Sequence, residues 1–176
     1  MPMICDDPRM AAYFLDSEGK SFARHEHELY MPLLLKDLPE DIGPLIYVGS
    51  AGNTGLPSYL NRWRVKVLDI DPGYKSDIVA DIRSTGLPPE SMGGVLLISV
   101  LEHIFETQQV IDECWRIIEP GGYLIIDVPW VYPYHAQDDF KDYWRISKDG
   151  LQQLTKQFSE SYFTQGKWST YGWAKK

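Results

Sequence analysis

The chain has 176 residues, 44% hydrophobic and 24% charged, which suits one soluble globular domain with a sizeable core. With 17 Lys and Arg against 25 Asp and Glu, its formal net charge is −8, so its average field repels a nucleic-acid backbone and makes DNA or RNA a poor first substrate. No apolar run reaches membrane-span length, the start MPMICDDPRM lacks the basic-then-apolar pattern of a secretory signal, and Cys5 and Cys114 are far apart with no CxxC pair; a cytoplasmic protein with reduced thiols, no zinc site and no membrane partner is expected.

Residues 1–20 carry no periodic pattern. Residues 21–38, SFARHEHELYMPLLLKDL, show roughly helical spacing interrupted by Pro32, so residues 1–40 are expected to form a helical extension at the start of a single domain spanning 1–176. Within it, His25 and His27 of the run HEHE lie two apart and point in different directions on a helix. A solvated helix face accounts for the run better than a metal pair. From residue 45 the pattern changes. LIYVG, VKVLDI, DIVADI, GVLLISV and YLIIDVPW are short runs rich in Val, Ile and Leu, predicting parallel strands that start near residues 45, 65, 77, 94 and 123 and are buried on both faces. Helical candidates lie between them at 56–62 and 105–118, and after them at 147–158. In the second, Val110, Ile111, Cys114, Trp115 and Ile118 fall on one face. The tail SYFTQGKWSTYGWAKK, with Gly166 at its turn, reads as an antiparallel hairpin. Strand–helix alternation predicts an α/β doubly wound sheet of seven strands, the last antiparallel.

Ligands of such a sheet bind beyond the carboxyl ends of its strands. The first strand is followed by the Gly49–Gly55 turn, the second by Asp69-Ile70-Asp71-Pro72, and the third by Asp81-Ile82. The fourth is followed by Ser99-Val-Leu-Glu-His103, and the fifth by Pro129 and Trp130. A glycine turn is common between strand and helix, and an acid after a strand often only caps a turn. The series is what points to a nucleoside. An acid at the second position can accept both ribose hydroxyls, and Asp81 can accept from an adenine amino group while Ile82 covers the ring.

These motifs are similar to those of the class I S-adenosylmethionine-dependent methyltransferases, from about residue 40 onward. VLDIDP looks like their ribose motif and VADIRSTGLP like the adenine-side motif. LISVLEHI carries the LEH signature that follows the fourth strand in many small members, and RIIEPGGYLIIDVPW resembles the helix, Pro-Gly-Gly turn and fifth strand after it. The resemblance implies a Rossmann-like three-layer sandwich. It also implies S-adenosyl-L-methionine as cofactor, held by Gly49, Ser50, Ala51, Gly52, Gly55, Asp69, Ile70, Asp81, Ile82 and Ser99. Three features depart from the family pattern. Tyr47 stands where an acid usually precedes the first glycine, the glycines are stretched to 49, 52 and 55, and Gly93-Gly94 replaces the acid near the start of the fourth strand. The cofactor's amine contact is therefore expected to be moved elsewhere or weakened.

HAQDDFKDYWRISKDGL, residues 135–151, resembles a segment found after the fifth strand in methyltransferases of glycan and natural-product pathways. It implies His135 as a base, Tyr134 and Trp144 as pocket walls, and Arg145 for an anionic group. The plainer alternative is an Arg145–Asp142 structural ion pair with Trp144 in the core. His103 is a second candidate base or a cap for the helix that follows it. The expected acceptor is a small molecule, natural product or glycan, with no metal. The open cleft leaves room for a bulky acceptor or for a homodimer partner closing the site. A nicotinamide-dependent reductase would need a GxGxxG turn, which is absent. A methyltransferase-like regulatory module, or a nucleoside-binding subunit that activates a catalytic partner, would be favoured by the missing acid at Tyr47.

Overall fold

The computed structural model describes residues 14–49, 56–138 and 140–176. Its centre is a seven-stranded sheet: β1 (Leu45–Val48), β2 (Val65–Asp69), β3 (Ile78–Val79), β4 (Met92–Ile98), β5 (Ile118–Pro129), β6 (Glu160–Gln165) and β7 (Ser169–Lys175). The order is β3-β2-β1-β4-β5-β7-β6, and only β7 runs against its neighbours. The five expected parallel strands are present, and the expected tail hairpin supplies β6 and β7; burial on both faces holds for β1, β4 and β5 but not at the β2–β3 edge, where Lys66 and Val79 are exposed. β5 starts at Ile118, earlier than expected, because the chain pairs with Met92 before a register shift and rejoins β4 at Tyr123 opposite Gly94. Gly121, at φ +85, takes the left-handed backbone inside that irregular stretch.

Strand alternation divides the core in two. Ile46, Val48, Val95, Leu97, Leu124 and Ile126 face one side, covered by α2 (Thr107–Ile117) through Val110, Ile111, Cys114 and Ile117 and by α3 (Lys148–Leu154) through Leu151. Leu45, Leu96, Ile125 and Tyr171 face the other, covered by α1 (Phe22–Leu35) through Met31 and Leu35, with Leu60 and Trp63 beside them. The result is three layers. Ser21 caps α1 by accepting from the Arg24 amide, and Pro32 stays within the helix. The ring removes one helical donor, but fully buried Met31 holds that turn against the sheet.

Two helical expectations need correction. Residues 56–62 form only a short 3-10 turn at Ser58–Leu60, and α3 stops at Leu154, short of residue 158. Trp115 is not on the buried face of α2. The face closes at Ile117, and Trp115 lies at its exposed edge, covered by the Lys176 ammonium 4.1 Å from its ring centre. Among the described residues, no helix follows β2 or β3, which leaves that end of the sheet open. No helix there is long and apolar enough to cross a membrane.

Candidate active site

The order of strands reverses between β1 and β4, and the crevice at that switch point opens at Gly49 and Ser99. Gly49 continues the ladder, its amide donating to the Leu68 carbonyl, and then turns at φ +68. A Cβ there would strain the backbone and stand 3.0 Å from Val100 Cγ2. Ser99 donates its amide to the Asp127 carbonyl and sits at φ +52, a costly conformation for a residue with a side chain. Ser50, Ala51, Gly52 and Gly55 lie outside the described residues.

On one side of this point is a cavity of about 590 Å³ lined by Asp69, Ile70, Asp81 and Ile82. Asp69 is buried, and its Oδ1 accepts from the Asp71 amide at 3.1 Å. Asp71 is exposed and accepts from the Gly73 amide at 2.7 Å, a turn-forming contact. The Asp81 carboxylate takes the Arg83 guanidinium at 2.7–3.1 Å and the Arg83 amide at 2.9 Å. The Arg83 contact holds that carboxyl below its usual range. Arg83 also donates to Glu106 at 2.8 Å, so an adenine amino group would share Asp81 with a fixed cation.

On the other side is a cavity of about 720 Å³ that also contains Gly49, Ser99 and His103 in its wall. Tyr47 lines it, and so does Asp127 of β5. Asp127 Oδ2 lies 2.5 Å from His27 Nδ1, while His27 Nε2 meets the Tyr59 hydroxyl at 2.8 Å. Among the described residues, Asp127 Oδ1 has no partner, and neither carboxylate oxygen of fully buried Glu102 has one. Burial pushes the Glu102 carboxyl up to about 8 and raises that of Asp127, which the His27 contact opposes. Burial also lowers His103.

His135 and His103 come together here, with ring centres 5.0 Å apart. His103 Nδ1 is 2.6 Å from the Lys141 carbonyl, and His135 Nδ1 is 3.0 Å from the Pro133 carbonyl. A carbonyl can only accept, so both Nδ1 atoms carry hydrogen, and each ring in its neutral form presents a bare Nε2. Those Nε2 atoms lie 3.7 and 4.0 Å from Glu102 Oε1. The segment bearing His135 is strapped over the LEH turn, with the Tyr143 and Trp144 amides donating to the Glu102 carbonyl and Trp144 Nε1 to that of Ile104.

Other members of the expected set are not brought to the cavities. Tyr134 is 70% exposed and lines neither. Arg145 forms a two-pronged pair with Asp142 at 2.5 and 2.8 Å and donates to the carbonyls of Tyr132, Pro133 and Trp144. That is the plainer alternative read from the sequence. Trp144 stacks on Phe105 at the surface, neither a wall of the pocket nor a core residue.

The HEHE run also differs from expectation. His25 is exposed and meets Asp16 at 2.6 Å, and Glu28 meets Lys20, so half the run is a solvated face. Glu26 and His27 turn inward. Glu26 accepts from the amides of Lys167, Trp168 and Ser169 and from the Tyr171 hydroxyl, tying α1 to the β6–β7 turn. Sequence reasoning missed His27, Tyr59, Asp127 and Glu102. Only Asp127 had a readable signal, a lone acid inside the apolar strand YLIIDVPW.

Comparison with known proteins agrees with this architecture. Residues 49–126 match the model of a methyltransferase domain. A Pyrococcus horikoshii protein superimposes with a TM-score of 0.66 at 18% identity, covering 95% of this chain and 96% of its own. A Thermotoga maritima S-adenosylmethionine-dependent methyltransferase, described as a possible histamine N-methyltransferase, gives 0.59 at 14%, covering 88% and 92%. A Haemonchus contortus phosphoethanolamine N-methyltransferase in complex with S-adenosylmethionine gives 0.57 at 14%, covering 79% of this chain and 38% of that one. No curated protein sequence matches the chain. The chain thus carries a methyltransferase-domain match over residues 49–126, on a fold it shares with S-adenosylmethionine-dependent methyltransferases.

Proposed function

We propose that the chain methylates a hydroxyl-bearing small molecule, of natural-product or glycan type, that enters the cavity lined by His103 and His135. The observation carrying this reading is that the two cavities share Gly49, Ser99 and His103. A nucleoside in one therefore ends where a polar acceptor pocket begins. Asp69 would hold the ribose hydroxyls, Ile70 and Ile82 the base, Asp81 its amino group in competition with Arg83, and the turn after Gly49 the remainder. The unpartnered Oδ1 of Asp127 fits the cofactor's ammonium, taking over from the acid that Tyr47 replaces. The cofactor supplies a methyl group on a sulfonium, an electrophile that needs only an aligned lone pair. The chain's own part is to align the acceptor, keep water out, and take a hydroxyl proton at the Nε2 of His135 or His103.

Calorimetry with S-adenosylmethionine, followed by transfer of labelled methyl to a panel of phenols, sugars and amines, tests the reading. Binding with label passing to a hydroxyl acceptor is the expected result. Label passing only to amines would overturn the acceptor class, and absence of binding would overturn the assignment of these residues to the cofactor.

A further inference from the structure

Glu102, His103 and His135 each offer one ligand atom, and these atoms lie within 4.8 Å of one another. We propose that these three side chains hold a first-row divalent cation, of the Zn²⁺ or Co²⁺ type, whose open positions face the acceptor end of the cleft and take a hydroxyl or carboxylate oxygen. Bonds of about 2.0–2.2 Å to nitrogen and oxygen bring neighbouring ligands to about 3.0–3.5 Å apart. The observed Nε2–Oε1 separations of 3.7 and 4.0 Å need only a slight closing of side chains.

Two further observations support the site. Metal-bound histidines characteristically donate their other ring N–H to a carbonyl or carboxylate, which fixes the tautomer and aims the free nitrogen at the metal. His103 is so fixed by the Lys141 carbonyl. His135 is fixed by the Pro133 carbonyl and stands 3.1 Å from Asp142 Oδ2. The second observation is the carboxylate itself. Glu102 is fully buried, faces the cavity, and leaves both oxygens without a partner among the described residues. A buried acceptor in that state carries a desolvation cost that a cation would offset. Two imidazoles and one carboxylate with vacant positions are the donor set of reactive, not structural, metal sites.

The sequence predicted no metal because Glu102 and His103 are adjacent and the third ligand comes from a remote strap. A hydroxyl bound to such a cation loses its proton to water more readily, the O–H electron pair staying on oxygen. In that case neither histidine acts as the base. This use of the cation rests on the methyltransferase reading; its binding does not.

The test begins with chelator-treated full-length protein, titrated with CoCl₂ by absorption and with ZnCl₂ by calorimetry. One equivalent should bind and give a visible Co²⁺ band. Glu102→Gln and His135→Ala should each weaken binding by more than about a hundredfold, beyond the loss typical of a supporting residue. His25→Ala, on the exposed face of α1, should leave it unchanged. Glu102→Gln preserves side-chain shape, so it decides the matter if His135→Ala does not fold. No saturable binding to the wild-type chain, or undiminished binding to Glu102→Gln, overturns the proposal. S-adenosylmethionine titrated into the same metal-free sample separates the two readings. Its binding without metal binding sinks only the metal site, whereas metal binding alone sinks only the cofactor assignment.

Discussion

Asp69 and Asp71 stand two positions apart, but one is buried in the cavity wall and the other is spent on a turn. Charge-assisted hydrogen bonds are worth about 1.5–3 kcal/mol each, so Asp69→Ala should weaken S-adenosylmethionine binding by roughly ten- to a hundredfold or more. Asp71→Ala should change affinity far less, and calorimetry on the two variants ranks them. Gly49→Ala tests the backbone instead. With φ at +68 and Val100 close by, it should lower stability by about 1–2 kcal/mol, read as an earlier urea midpoint with unchanged slope. The different fates of Asp69 and Asp71 were legible from the Pro that follows. That of His27 was not, because helical spacing shows which residues share a face and not what stands opposite.

At the level of elements, α2 is fastened to the β3–β4 loop by one carboxylate. Glu113 accepts from the Thr85 amide at 2.8 Å and hydroxyl at 2.5 Å, and pairs with Arg116 at 2.7 Å. The Arg116 contact, joined by those of Thr85, brings its carboxyl down from 4.5 to about 2 against the opposing effect of burial. A carboxyl depressed on folding contributes stability that is present above its unfolded value and lost as pH falls through its folded one. Glu113→Gln should therefore be less stable near neutrality and lose less of its stability between pH 4.5 and about 2, which urea unfolding across that range measures. The element list was legible because the five parallel strands read as short runs rich in Val, Ile and Leu, although only β1, β4 and β5 proved buried on both faces. The helix at 56–62 was overestimated because nothing in its composition shows that only Leu60 is buried there.

For the whole molecule, the sheet order sets where chemistry can occur: the strand ends meet at Gly49 and Ser99 whatever the acceptor proves to be. The fold was legible, and so was the grouping of Asp69, Ile70, Asp81 and Ile82 in one cavity wall, because each depends on residues close in sequence to a strand end. The larger cavity was not, being assembled from α1, the LEH turn, β5 and the strap. A cofactor spanning this cleft stabilises the folded state by mass action. At a hundred times its dissociation constant, S-adenosylmethionine should contribute about 2.7 kcal/mol and raise Tm by roughly 5–10 °C for a chain of this size. Asp69→Ala should flatten that shift at equal ligand concentration.

His27 reaches Asp127 across 100 positions, and Glu26 grips residues 167, 168, 169 and 171 from the far side of the sequence. The larger cavity is thus closed by portions of the chain a hundred or more positions apart. Contacts of such span are slow to form, because the loop they close must first lose its freedom. During synthesis, a chain released only as far as β5 has Asp127 and His27 but not the hairpin that fixes α1 over them. Binding competence should consequently emerge last in refolding, in the phase that docks β7. Stopped-flow refolding in the presence of S-adenosylmethionine should show ligand uptake tracking the slowest burial of Trp168 and Trp173, and uptake preceding that phase would place closure of the site earlier than the hairpin.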